Sequence, residues 1–104
     1  MTARCRLPNR RIAETFQFEL GGLKYTATVG RFPDGSIGEL FLNNHRSNSA
    51  ADTAARDAAI AFSFAVQHGA DPEAIRLALC RDSFGRPSGP LAAALDTVMA
   101  ESAP

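Results

Sequence analysis

Tryptophan is absent, cysteine occurs only twice, and eleven basic residues cancel eleven acidic ones. Each shortage excludes something. Cys5 and Cys80 are too few for a disulfide framework and too far apart for a CxxC redox pair, so both are expected to stay reduced. A net charge of zero puts no strong field on nucleic acid or membrane. No apolar run approaches the roughly 18 residues needed to span a bilayer. The opening Met1-Thr2-Ala3-Arg4-Cys5-Arg6 lacks the apolar stretch of a secretory signal, which makes the cytoplasm the expected location. Catalytic signatures are missing as well. There is no GxxxxGK[ST], no GxGxxG, no GxSxG, no HExxH and no paired CxxC. Cys5, His45, His68 and Cys80 are soft ligands, but no two lie at ligand spacing, so neither metal nor cofactor is expected in this chain.

What is present suits one small domain. A chain of 104 residues, 45% of them apolar, can build a single core. Residues 1–11 carry Arg4, Arg6, Arg10 and Arg11 with no acid before Glu14, and Pro8-Asn9 interrupts regular structure. This segment reads as a flexible basic arm, either solvated or docking a partner or a phosphate-bearing ligand. Residues 12–101 form the domain, and residues 102–104 a tail.

Alternation marks the first strand over residues 12–20, with Ile12, Phe16, Phe18 and Leu20 on one face and Glu14 as the exception. Gly21-Gly22 suits a two-residue hairpin turn, and a second strand follows over residues 23–29. Closing that turn sets Leu20 against Leu23, Phe18 against Tyr25 and Phe16 against Ala27. Glu19, Gln17 and Thr15 then meet Lys24, Thr26 and Thr28 on the polar face. Pro33-Asp34-Gly35 makes another turn. The third strand, residues 36–43, should pair with the second and be covered on both faces, Ile37 and Phe41 on one and Leu40 and Leu42 on the other. Glu39, alone within it, reads as a paired or edge residue rather than an acid catalyst.

Three helices should follow. Ser49 is a plausible N-cap for residues 50–68, with Asp52 in a capping-box-like role and Gly69 as terminator. Asp52, Thr53, Arg56, Ser63 and Gln67 form one narrow polar stripe on this helix. The rest is apolar, which predicts a central helix packed on the sheet and under other helices. Asp71-Pro72-Glu73 starts a helix over residues 72–79, and Pro90 opens the last, residues 90–101. Its stripe of Leu91, Leu95, Val98 and Met99 reads as core, with a homo-oligomer seam as the alternative. Strands followed by helices indicate an α+β fold, a three-stranded antiparallel sheet with three helices packed on it. His45 and His68 read as structural or solvated, and Cys80 as a buried inert thiol beside Arg81.

Three stretches carry a resemblance: Leu7-Pro8-Asn9-Arg10-Arg11; Tyr25-Thr26-Ala27-Thr28-Val29-Gly30 through Asp34-Gly35-Ser36-Ile37-Gly38-Glu39-Leu40-Phe41; and the alanine-rich segment ending in Gln67-His68-Gly69 before Pro72-Glu73. Together they resemble the TSCPD domain, found near the C-terminus of adenosylcobalamin (vitamin B12)-dependent ribonucleotide reductases and as short free-standing bacterial proteins. Ser88 and Pro90 match the naming motif, whereas Gly89 and Leu91 stand where it has Cys and Asp. Cys80 resembles the family's other cysteine, but the loss at Gly89 removes the pair on which a metal or thiol role would rest.

The resemblance implies an auxiliary, non-catalytic domain associated with a reductase catalytic chain in deoxyribonucleotide synthesis. Reductase activity and adenosylcobalamin would both belong to that partner. The expected contact residues are Arg4, Arg6, Arg10 and Arg11 of the arm with Arg81, Arg86 and Ser88 of the loop before the last helix. The alternative is a nucleic-acid-binding module using the arginine arm; a small enzyme using Cys80 ranks last.

Overall fold

The computed structural model describes residues 3–100. The first two arm residues, the expected helix end at Glu101 and the tail at 102–104 lie outside the described residues. The chain runs β1 (Ala13–Leu20), β2 (Leu23–Arg31), β3 (Ile37–Asn44), α1 (Ala50–Gln67), α2 (Pro72–Ala78) and α3 (Pro90–Ala100). The strands form one antiparallel sheet in the order β1-β2-β3. This is the α+β architecture expected from the sequence.

Gly21 and Gly22, at φ 58° and 79°, make the tight turn between β1 and β2. The pairing is the one that turn dictates, from Leu20↔Leu23 through Phe18↔Tyr25 to Thr15↔Thr28. Phe18 stacks on Tyr25 with centroids 5.3 Å apart, and the Thr15 and Thr28 hydroxyls meet at 3.1 Å on the opposite face. At the β2–β3 turn, Gly35 N–H bonds the Phe32 carbonyl, and Asp34 accepts from both the N–H and the hydroxyl of Ser36. The Ser36 hydroxyl and N–H hold the Asp34 carboxyl below its ordinary range.

The third strand departs from expectation. Gly30 pairs with Glu39 but Arg31 with Ile37, so Gly38 is an extra residue in β3. That bulge turns Ile37 into the core, where it joins Leu40 and Leu42. Phe41 is left on the open face, 51% exposed. The strand is therefore covered on one face, not two.

The core lies between the sheet and the helices. Tyr25, Ala27, Val29, Leu40 and Leu42 meet Ala55, Ala59, Phe62 and Val66 of α1 and Ala94, Leu95 and Val98 of α3. Leu91 and Met99, partly buried, pack against the same cluster, so the α3 stripe faces the core. Ser49 caps α1 by accepting from Asp52 N–H, and Asp71 caps α2 by accepting from Glu73 N–H. One arginine-rich network ties the last elements together. Asp96 accepts from Arg76 and twice from Arg81, while Arg76 also pairs with Glu73.

The apolar girth of α1 is not wholly covered, since Ile60 and Phe64 are 53% and 46% exposed. Part of its polar stripe faces inward instead. Gln67 Nε2 donates to the Gly38 carbonyl at 2.8 Å, and Ser63 Oγ both accepts from Leu40 N–H and donates to Leu40 C=O. Asp52 Oδ1 accepts from Asn44 N–H at 3.0 Å. Burial opposes its charge, but the Asn44 N–H and the Arg56 guanidinium outweigh it and hold the carboxyl below its ordinary range. Residues 38, 40 and 44, like Leu42 between them, turn their backbone groups away from β2. The stripe thus lines the free edge of β3 and bonds it at three points: about 22 Å of helix runs antiparallel to about 20 Å of strand. No helix among the described residues is long and apolar enough to cross a membrane.

Candidate binding surface: the arginine arm and its seat

Residues 3–11 have no helix or strand, yet they touch the domain at four places. Arg4 Nε donates to Gln67 Oε1 at 2.6 Å, and its guanidinium carbon lies 4.4 Å from the centre of the Phe64 ring. Cys5 N–H bonds the Gln67 carbonyl at 2.6 Å, satisfying one of the last acceptors of α1. Leu7 lies over Gly38, where an added Cβ would come within 2.9 Å of its Cδ2. Arg11 Nε pairs with Glu39 Oε2 at 2.5 Å, and Arg11 Nη1 donates to Pro8 C=O.

The seat explains part of the sequence stretch around residues 30–39. Gly30 leaves room for the Glu39 side chain, which a Cβ there would strike. Glu39 in turn holds Arg11, so it is the paired carboxylate that was expected. Gly38 leaves room for Leu7 and for the Phe32 ring. Gln67 belongs by its spacing to the polar stripe of α1. It is 4% exposed and joins arm, edge strand and helix in one set of bonds. Its pairing with Gly38 could have been read from the sequence only by a reader who knew of the bulge.

A cavity of about 200 Å³ lies between arm and domain, lined chiefly by Arg4, Arg6, Asn9, Arg11, Glu39 and Gln67. Arg6 and Arg10 are exposed and have no ion pair or hydrogen bond among the described residues. They are the free cations of the arm. Arg4 and Arg11 are already engaged.

The second half of the expected contact set sits on a separate loop. Arg81 Nη1 and Nη2 grip Asp96 at 2.7 and 2.8 Å and also reach the Gly85 and Arg76 carbonyls. The Asp96 hydrogen bonds raise the Arg81 pKa above its ordinary value. This guanidinium shapes the loop. Asp82 accepts from the N–H groups of Phe84 and Arg86, and Ser88 N–H reaches the Cys80 carbonyl. Arg86 pairs with Asp82 at 3.3 Å and lies 5.1 Å from the Phe84 ring centre. Phe84, at the tip, is 81% exposed, and sequence reasoning passed over it. The signal was available: Asp82-Ser83-Phe84-Gly85 is a turn sequence, and a turn aims its side chains outward. No hydrogen bond or ion pair joins arm to loop among the described residues, so the two are separate patches.

Cys80 is exposed, as is Cys5, which corrects the expectation of a buried thiol. The reason is local. The helix stops at Ala78, Leu79 is extended (φ −73°, ψ 156°), and the chain leaves the packed layer before Cys80. Cys80 borders an apolar groove of about 240 Å³ between α1 and the start of α3, with Ala54, Ala58 and Leu91 among its walls. His45 Nε2 and Thr26 Oγ1 lie 2.9 Å apart, and His68 Nδ1 and the Phe64 carbonyl 2.8 Å. Among the described residues no three His, Cys, Asp or Glu side chains gather as a metal-holding group.

No family model matches the chain, and neither does any solved structure. Over 64 residues, 62% of the chain, it is 39% identical to a vitamin B12-dependent ribonucleotide reductase of Agrobacterium fabrum. Over 69 residues, 66% of the chain, it is 33% identical to the vitamin B12-dependent ribonucleotide reductase of Bradyrhizobium diazoefficiens. The matched stretch covers 5% and 6% of those two proteins, so this chain is similar to one small region of a large B12-dependent reductase.

Proposed function

We propose that this chain is a TSCPD-type auxiliary domain that associates with the catalytic chain of an adenosylcobalamin-dependent ribonucleoside-diphosphate reductase. The observation that carries the reading is its 39% identity to a short region of such an enzyme. The surface fits a binding role. A seated arm presents Arg6 and Arg10 to solvent, and a braced loop presents Phe84 beside Arg86. Aromatic residues and arginine are both enriched at protein interfaces. In this reading the radical chemistry and the adenosylcobalamin belong to the large chain, and this domain contributes contacts.

The test is co-purification of the full chain with the reductase catalytic chain of its own source. Association at micromolar concentration is expected, weakened by deleting residues 1–11 and by Phe84→Ala. No association at that concentration would overturn the reading. The nucleic-acid alternative is less favoured, because Arg4 and Arg11 are engaged and, among the described residues, Arg6 and Arg10 alone remain as free arm cations. Salt-dependent binding to an oligonucleotide would revive it.

A further inference from the structure

The two edges of the sheet are treated differently. Side chains of α1 bond the edge of β3 at residues 38, 40 and 44, whereas that of β1 is bare among the described residues. Arg31 N–H donates to the Ile12 carbonyl. That bond fixes the alternation: Ile12, Glu14, Phe16, Phe18 and Leu20 turn their backbone groups toward β2. Ala13, Thr15, Gln17 and Glu19 turn theirs outward. All four are exposed, and no side chain among the described residues bonds their N–H or C=O groups. Exposed strand edges are normally protected by proline, lysine, a bulge or a covering element. The eight residues of β1, AETFQFEL, have no proline, lysine or bulge. On the helix-facing side, Phe16, Phe18 and Leu20 are only partly buried, and Ile12 is 67% exposed.

We propose that β1 pairs antiparallel with β1 of a second copy of this chain about a two-fold axis, joining two three-stranded sheets into one of six strands. An edge of unpaired amides and carbonyls is completed by another strand. The sequence of this one is complementary to itself. Outward-facing residues must meet outward-facing residues, and the register that also covers Ile12 places Phe16 on the axis. Thr15 then faces the partner's Gln17, Ala13 the partner's Glu19, Glu14 the partner's Phe18 and Ile12 the partner's Leu20. No two carboxylates stand opposite each other. Glu14 is held by Arg31 at 2.9 Å, and Glu19 lies across from Lys24 within its own hairpin. Two chains of zero net charge do not repel each other. The interface is isologous, as a closed dimer requires.

Sedimentation equilibrium on the whole chain, from micromolar to submillimolar concentration, should report a dimer. Gln17→Pro removes an N–H that faces away from β2, a position where an edge strand tolerates proline. It should leave the circular dichroism unchanged and the chain monomeric over the same range. Phe16→Cys, with Cys5→Ser and Cys80→Ser, should oxidise to a disulfide-linked dimer, because facing residues of a non-hydrogen-bonded pair lie about 4.5 Å apart at Cα. A wild-type monomer, a dimer indifferent to Gln17→Pro, or a dimer that fails to cross-link through Phe16→Cys would each overturn the pairing. A monomer whose binding to the reductase catalytic chain is lost in Gln17→Pro would overturn it too, and would assign the edge to that partner.

Discussion

Gln67 Nε2 donates to the Gly38 carbonyl at 2.8 Å while Gln67 Oε1 takes the Arg4 Nε–H at 2.6 Å, so one buried amide holds strand edge and arm together. Gln67→Leu keeps the bulk and removes both bonds. It should cost about 1–3 kcal/mol, the range for leaving a buried acceptor unmet. Urea unfolding would read the loss, and trypsin should cut after Arg4 and Arg6 faster than in the wild type.

Ser63 acts one turn earlier. It bonds both the N–H and the C=O of Leu40, so Ser63→Ala leaves two backbone groups of the edge without partners. A loss of about 1–2 kcal/mol in urea unfolding is expected, with the Leu40 amide exchanging its hydrogen faster. An unchanged exchange rate at Leu40 would contradict the closure of this edge.

Gly38→Ala tests the seat itself. The added methyl meets Leu7 at 2.9 Å and Phe32 at 3.0 Å, and the arm is the easier of the two to displace. Circular dichroism should stay native while tryptic cleavage at Arg10 and Arg11 accelerates. Unchanged proteolysis would mean that Leu7 does not hold the arm.

Hydrogen bonds from Arg81 and then from Arg76 hold the Asp96 carboxyl below the usual carboxylate range. A carboxylate depressed in the folded state contributes stability above its unfolded pKa, about 3.9, and loses it as pH falls through the lower folded value. The melting temperature should therefore stay level from neutral pH to about 5 and drop below about 4. Asp96→Asn should lower the neutral melting temperature by about 4–8 °C, equivalent to 1 kcal/mol in a domain of this size. It should also flatten the acid limb in part, because Asp34, Asp52 and Glu73 are depressed as well and remain.

Cys5 and Cys80 are both exposed and free in the folded chain. A chromogenic thiol reagent should titrate two groups before denaturant is added, and Cys80→Ser should reduce the count to one. A wild-type count that Cys80→Ser leaves unchanged would place Cys80 back under cover.

The hairpin was legible to the residue because Gly21-Gly22 leaves one turn geometry, and that geometry fixes every pair from Leu20↔Leu23 onward. The caps at Ser49 and Asp71 were legible for the same reason, since side-chain chemistry at one position determines them locally. The face of β3 was misread. A bulge at Gly38 changes the parity of the strand, and a glycine inside a strand pattern signals either a bulge or a close backbone approach without saying which. The inward face of the polar stripe was also hidden. Spacing places Asp52, Ser63 and Gln67 on one side of α1, but only the pairing order reveals that this side lies along an unfinished edge. Of the expected contact residues, Arg6 and Arg10 stand free, while Arg81 is absorbed by Asp96, a partner fifteen residues away that no local pattern links to it.

The helix that completes the core is also the shield of β3, and this couples folding to solubility. Were α1 to detach, the backbone of Gly38, Leu40 and Asn44 would be uncovered together with Leu40 and Leu42, an apolar ribbon with open amides. Such a ribbon recruits copies of itself into aggregates. Substitutions that loosen α1 should therefore cause precipitation during expression more often than they yield a soluble, unfolded chain.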